Sequence, residues 1–340
     1  MPRQATLADV AAAADVSIAT ASRVLNGDGS QVREKLRTRI HAAAERLDYV
    51  PNAHAQALMR VDTRSVGVLA FDVGNPFFTE IIEGIMGVAA GADRLVTIGN
   101  VSRDPATEIR YVDLLRSQRV GAVILTGSGR VDPDPVTRLQ TRLDAFRATG
   151  GRVALIGRHE VEGNRVVPDN QGGAAAAARA LLEFGHTELG VIAGPADMTV
   201  TVDRLAGFLV HCAAAGHPVA PERVVPGLFT REGGAAAMRT LLDVAPSITA
   251  VFCLSDAMAL GASGVLRERG VEVPRRMSII GFDDISLAAE LTPALSTVHV
   301  PLKEMGAAAM RMLLEPSGDG PRTERFAAQL RLRETTGPAP

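Results

Sequence analysis

The chain has 340 residues, 46% of them hydrophobic and 22% charged, with 36 Lys+Arg against 38 Asp+Glu and two cysteines. That is enough apolar material for one to three packed domains, and it excludes bulk disorder. No stretch approaches the ~20 apolar residues that cross a bilayer. Asp9 and Asp15 break up any leader-like N-terminus, and Cys212 and Cys253 lie in apolar stretches as buried thiols, not as a disulfide framework. A soluble cytoplasmic protein with no membrane partner is expected.

Charge is spread unevenly. Residues 1–60 hold eight basic and six acidic side chains, whereas the rest of the chain holds 28 basic and 32 acidic. A mildly basic head on an acidic body suits a polyanionic partner. Within that head, Thr6 is placed to cap a short helix, with Asp9 three residues on at its positive end. Leu7, Val10 and Ala14 share one face. A tight turn at Asp15-Val16 leads to a second helix capped by Ser17 and running to about Asn26, with Ala21, Val24 and Leu25 inward. A third helix, Val32 to Leu47, carries Val32, Leu36, Ile40, Ala43 or Ala44 and Leu47 as its apolar stripe. Two short helices joined by a tight turn read as a helix-turn-helix, whose second helix enters the DNA major groove.

The block Thr6-Leu7-Ala8-Asp9-Val10-Ala11, with Ala14, Val16, Ser17, Thr20 and Ser22-Arg23-Val24-Leu25-Asn26, resembles the head of LacI/GalR-type (lactose/galactose repressor) transcriptional regulators. The resemblance implies DNA contacts from Thr6, Ser17, Ile18, Ala19, Thr20, Ser22, Arg23 and Asn26. Arg23 is the base-edge candidate, because a guanidinium fork satisfies guanine O6 and N7 together. The hydroxyls and the amide suit phosphate contacts that fix register. Ile18 and Ala19 offer apolar contact at the two positions that vary with operator sequence.

The segment Tyr49 to Arg60 resembles the family's hinge. Pro51 ends the third helix, and the seven residues Ala53 to Met59 are too few for an isolated helix in water. The resemblance implies that Asn52, Ala55 and Leu58 face DNA, with Leu58 as the wedge that opens a base step and bends the minor groove. Three features depart from the pattern. The turn Gly27 to Gln31 is one residue longer, Arg33 and Leu36 stand where Ser and Thr are preferred, and Gln56 replaces the usual hinge arginine.

From Ser65 onward short apolar runs alternate with helical stretches: SVGVLAF, RLVTIG, GAVILTG and RVALIG, then LGVIAG, the Val225 region, AVFCL and MSIIGF. Helices are expected at 77–91, 105–118, 135–149, 172–185, 201–216, 231–244 and 256–270. Two sets of βα units predict two parallel-sheet, Rossmann-like subdomains with a ligand edge at the carboxyl ends of the strands. A helix at 302–315 and a final strand near 325–333 cross back between them. Asn75-Pro76-Phe77-Phe78, Asp203 to Phe208, Ser255 to Gly261 and Gly281-Phe282-Asp283-Asp284 match the same family in order. By position Phe77 and Phe78 line one lobe, Arg204, Phe229 and Asp283 the other, and Asp169 lies near the crossover. Such a set binds a small polar effector, the rings stacking on a sugar face and the Arg and Asp sharing hydroxyls. Met198 and Val200 argue against a purine.

Enzyme readings find little support. The chain lacks G-x-G-x-x-G, G-x-x-x-x-G-K-[ST] and G-x-S-x-G patterns, and its seven histidines form no H-x-x-x-H pair. No cofactor or metal is expected, and His186, following Gly185, reads as a helix C-cap. The runner-up, an exported solute-binding protein of the same two-lobed fold, has no use for residues 1–60.

The expected architecture is an all-α head (1–48), a hinge (49–62) and a periplasmic-binding-protein-like α/β core (63–340). Its first subdomain takes about 63–166 and 299–324, its second about 167–298 and 325–340. The expected function is a cytoplasmic, nucleoid-associated repressor, homodimeric on a pseudo-palindromic operator and controlled by a small-molecule effector. The tail ends without a leucine heptad repeat.

Overall fold

The computed structural model describes residues 5–25, 32–50, 65–315 and 320–340. It divides into two compact units, Met1–Thr63 and Arg64–Pro340. Asn26, Asn52, Ala55 and Leu58, the hinge from residue 51 onward and the lengthened turn therefore lie outside the described residues.

In the first unit α1 (Leu7–Ala13), α2 (Ile18–Leu25) and α3 (Glu34–Arg46) follow the predicted order. Thr6 and Asp9 form a reciprocal capping box: the Thr6 amide donates to Asp9 Oδ2 at 2.8 Å, and the Asp9 amide donates to Thr6 Oγ1 at 3.3 Å. The turn into α2 closes with Val16 N–H on the Ala11 carbonyl and Asp15 N–H on that of Ala12. This places Asp15 at φ +48°, a left-handed position usually filled by glycine. Ser17 Oγ accepts from the Thr20 amide and caps α2. Val10, Ala11, Ala14, Ala21, Val24, Ile40, Ala43 and Ala44 form the core, with Leu7, Val16, Leu25, Val32, Leu36 and Leu47 around it. Arg33 precedes α3 without a side-chain cap, which is what the missing Ser predicts.

The second unit holds two six-stranded sheets. The first has the order β11-β5-β4-β3-β1-β2, all parallel, from β1 (Ser65–Ala70), β2 (Leu95–Asn100), β3 (Ala122–Leu125), β4 (Arg152–Ile156), β5 (Asn164–Pro168) and β11 (Thr323–Phe326). The second has the order β12-β10-β9-β8-β6-β7, from β6 (Leu189–Ala193), β7 (Val224–Pro226), β8 (Ala250–Cys253), β9 (Ser278–Asp283), β10 (Ser296–His299) and β12 (Gln329–Arg331). Only β12 runs antiparallel to its neighbour. Inner strands such as β3 and β8 are buried along their whole length, as strands covered on both faces must be.

Helices α4 (Pro76–Gly91), α5 (Pro105–Ser117) and α6 (Pro133–Ala148) cover the first sheet, each opening with proline after a capping Asn75, Asp104 or Asp132. Helices α7 (Asn170–Glu183), α8 (Thr199–Ala214), α9 (Arg231–Val244) and α10 (Asp256–Glu268) cover the second. The chain then returns through β10 in the second sheet to α11 (Leu302–Leu314), which packs on α4 and on β4 and β5 of the first.

Two sequence expectations are corrected. The single final strand near 325–333 is two: β11 pairs with β5 and β12 with β10, so the chain changes sheets between Phe326 and Gln329. His186 is more than a helix cap. Its backbone N–H does close α7 onto the Leu181 carbonyl after Gly185 at φ +85°. Its ring, however, turns into the core, with Nδ1 2.9 Å from Thr249 Oγ1 and Nε2 3.0 Å from the Gly337 carbonyl. Both cysteines are buried, and burial pushes the Cys212 thiol up to about 11.

Candidate functional site

On the head, the residues singled out on α2 share one side. Ser17, Ile18, Ala19 and Arg23 are exposed, and Thr20 and Ser22 are half-buried. Ile18, 54% exposed, is an apolar side chain with no place in the three-helix core. The exposed Thr6 is occupied by its capping box, and Ser17 Oγ lies 2.8 Å from Thr20 Oγ1. These hydroxyls thus hold the frame from which Arg23 projects.

In the second unit a cleft opens at the carboxyl ends of both sheets. Five of the six predicted effector residues line it: Phe77, Phe78, Arg204, Phe229 and Asp283. The Phe77 and Phe78 rings meet edge to face with centroids 4.9 Å apart, positioned by the Asn75 cap of α4. Asp169 does not line the cleft. Its carboxylate is exposed and accepts the Gly172 amide at 2.9 Å as the cap of α7, and Asn170, one residue on, faces the cleft in its place.

Arg204 is the centre of the polar wall. Its Nε donates to Asn170 Oδ1 at 2.9 Å, Nη1 to the Leu254 carbonyl at 2.5 Å and Nη2 to Asp283 Oδ1 at 2.8 Å. The guanidinium carbon also lies 3.7 Å from the Phe282 ring centroid, a cation–π contact. Burial lowers the Arg204 pKa against the pull of Asp283, and it raises the Asp283 carboxyl to about 6 despite Arg204. Desolvation therefore outweighs attraction on both sides of the pair. Asp283 sits at φ +113°, at the end of β9. The neighbouring Asp284 turns away to His299 Nδ1 at 3.0 Å and Arg333 Nη2 at 2.7 Å. His299 is thereby tied to Asp284, while Val300 lines the cleft.

Spacing alone did not disclose Arg103 and Ser128, which also line the cleft. They follow β2 and β3, and Arg103 is carried on two consecutive left-handed residues, Ser102 at φ +51° and Arg103 at φ +57°. At the rim the lobes touch. Arg103 Nη2 donates to the Phe229 carbonyl at 3.1 Å, Arg130 pairs with Asp197, and Arg158 Nε donates to Asp203 Oδ2 at 3.0 Å. Among the described residues no cluster of His, Cys, Asp and Glu could hold a metal, and no helix is long and apolar enough to cross a membrane.

Residues 6–52 match the family described as bacterial regulatory proteins, lacI family, and residues 178–336 match the periplasmic binding protein-like domain. The HTH-type transcriptional repressor CytR of Escherichia coli (strain K12) is 37% identical over 312 residues, covering 92% of this chain and 89% of its own. Among solved structures, the transcriptional regulator CelR–cellobiose complex is 32% identical with a TM-score of 0.72, covering 97% of this chain and 99% of its own. The lac repressor dimer bound to operator and the anti-inducer ONPF is 24% identical and shares the fold with a TM-score of 0.83, covering 98% and 100%. With an HTH head, a two-lobed ligand cleft and these relatives, the chain belongs to the LacI family and is a DNA-binding transcriptional regulator, not an enzyme.

Proposed function

We propose that this regulator is a homodimeric repressor acting in the cytoplasm, bound to the nucleoid, and that a sugar or sugar derivative in the cleft controls its hold on a pseudo-palindromic operator. The single observation that carries the effector half is the buried Arg204–Asp283 pair on a cleft wall faced by Phe77 and Phe229. A donor and an acceptor held side by side suit vicinal hydroxyls, and the rings suit an apolar sugar face. CelR, with cellobiose bound, supports a saccharide. Phe78 and Asn170 join this set.

The DNA half rests on Thr6, Ser17, Ile18, Ala19, Thr20, Ser22 and Arg23, followed by Asn26 and by hinge residues Asn52, Ala55 and Leu58. Residues 1–48 form the head, 49–62 the hinge and 63–340 the effector core. Effector binding alters the angle between the lobes and thereby the pairing of two hinges, and a coupling of ~1–3 kcal/mol suffices. Two-fold symmetry makes each head read one half-site.

The test is selection of bound DNA from a random pool by the full-length protein at stated salt, with Arg23→Ala as the control. An enriched palindrome that the control loses supports the reading. No enrichment, with and without a pool of sugars and nucleosides, overturns it.

A further inference from the structure

The cleft's charge is unbalanced. Three charged side chains line it: Arg103, Arg204 and Asp283. Arg204 and Asp283 neutralise each other at 2.8 Å. Arg103 has no such partner on the cleft wall. Among the described residues its guanidinium makes one hydrogen bond, from Nη2 to the Phe229 carbonyl, while its backbone carbonyl accepts from Arg130 Nη2. Asp72, which acts on it electrostatically, lies off the wall with its Oδ1 accepting the Gly74 amide at 3.0 Å. Burial lowers the Arg103 pKa, with Asp72 pulling the other way. Asp72 attracts it from a distance, but among the described residues no carboxylate contacts the Arg103 guanidinium, and holding it partly out of water without such a contact costs free energy that a bound anion would offset.

A second observation points to the same place. Ser128 is nine-tenths buried, lines the cleft, and its Oγ has no hydrogen-bond partner among the described residues. Arg103 and Ser128 follow β2 and β3, and Asn75 follows β1, the strand between those two in the sheet, so the three loops are neighbours on one edge. Asn75 also opens the sixteen-residue helix α4, whose positive end favours negative charge there. Facing this edge from the second lobe are Met198 and Val200, which bring no opposing carboxylate.

We infer that the effector is anionic: a sugar derivative carrying a phosphate or carboxylate, held by Arg103 and Ser128 on the first lobe while Arg204 and Asp283 take its hydroxyls. Arg103 is the specificity-determining residue, selecting the charged derivative over its neutral parent. The inference rests on the effector reading of the cleft. Because Arg103 also reaches the Phe229 carbonyl of the second lobe, an anion bound to it draws on the same side chain that spans the two lobes.

The experiment titrates the full-length protein at constant ionic strength with inorganic phosphate, glucose, glucuronate and glucose 6-phosphate, read by calorimetry and by melting temperature. Phosphate should raise the melting temperature of the wild type, and at least one charged sugar should bind roughly tenfold or more tighter than glucose, as a charge-assisted contact requires. The two charged sugars distinguish phosphate from carboxylate. Arg103→Gln should abolish the phosphate response and bring that ratio to about one, whereas Arg103→Lys, which keeps the charge, should retain part of both. A wild type indifferent to phosphate, or equal responses in wild type and Arg103→Gln, overturns the assignment. If Arg103→Gln does not fold, the phosphate response of the wild type set against Arg103→Lys decides.

Operator affinity, measured in parallel, separates this inference from the reading beneath it. Neutral ligands that shift operator affinity with no preference for charge sink the anion and leave the effector cleft standing. Anion binding that leaves operator affinity unmoved sinks the effector role and leaves the Arg103 site standing.

Discussion

Arg204 and Asp283 form an ion pair in which both residues are almost wholly buried, at 3% and 5% exposure, with Nη2 2.8 Å from Oδ1. Such a pair adds little net stability, because desolvation offsets the attraction, but removing one partner strands a buried charge. Asp283→Ala is therefore expected to cost ~3–5 kcal/mol in urea unfolding. The double variant Arg204→Met with Asp283→Leu should recover most of that loss while abolishing effector binding. A double variant as unstable as Asp283→Ala would mean that the pair is chiefly structural.

A pH dependence follows from His159, buried behind the cleft with Nε2 2.9 Å from the Gly127 carbonyl. Burial pushes its pKa down to about 4, against hydrogen bonds to Gly127 and Ile156 that raise it. The folded value lies below the unfolded one, so its contribution to stability is complete above about pH 6.5 and is lost as pH falls through 4. The loss is about 3 kcal/mol, the gap of roughly 2.5 units times 1.36. Asp283, raised to about 6, runs the other way: its contribution is present at low pH and lost as pH rises through 6. The measurement is therefore a difference. Between pH 7 and 4 the wild type should lose about 3 kcal/mol more than His159→Gln, whose amide still reaches Gly127. Parallel stability curves for the two proteins would contradict it.

In the head, Thr6→Ala removes the hydroxyl that accepts the Asp9 amide, while the backbone N–H at position 6 can still donate to Asp9, and it should destabilise α1 by ~1 kcal/mol. Asp15→Gly relieves a left-handed residue at φ +48° and should stabilise the head by a comparable amount. Hydrogen exchange of the α1 and α2 amides in the full chain checks both. Opposite changes in protection are expected, and changes of the same sign would show that the turn is not the strained element.

Most of this site was legible because strand–helix alternation identifies which loops face a ligand edge. Phe77, Arg204, Phe229 and Asp283 could be assigned to the cleft from their positions together with motifs that match the family, Arg204 from within α8 and not from a strand end. What escaped depends on single dihedrals or on distant partners. Asp169 and Asn170 are adjacent, and only the helix start decides that the first caps and the second faces the cleft. Arg103 reaches the cleft through two left-handed residues that no spacing announces. The sheet change between Phe326 and Gln329 is equally silent, since two short strands in register with different sheets read as one run.

The helix glycines were illegible for a related reason, because their purpose lies in another segment. A Cβ on Gly84 of α4 would stand 1.9 Å from the Lys303 carbonyl oxygen of α11, and one on Gly306 of α11 would stand 2.0 Å from that of Ile81. Each helix thus presents a glycine to the backbone of the other, and the two axes approach more closely than any side chain allows. Helix propensity alone predicts that Gly→Ala gains ~1 kcal/mol at either position. Packing against a carbonyl that cannot rotate away predicts a loss of roughly 1–3 kcal/mol or more. Gly84→Ala and Gly306→Ala should each lower the unfolding midpoint of the core, and the double variant should cost less than the sum, since one separation of the helices relieves both clashes. Because propensity and packing differ in sign, one denaturation curve decides between them: a rise in midpoint for either variant would show that α4 and α11 are not held at this distance.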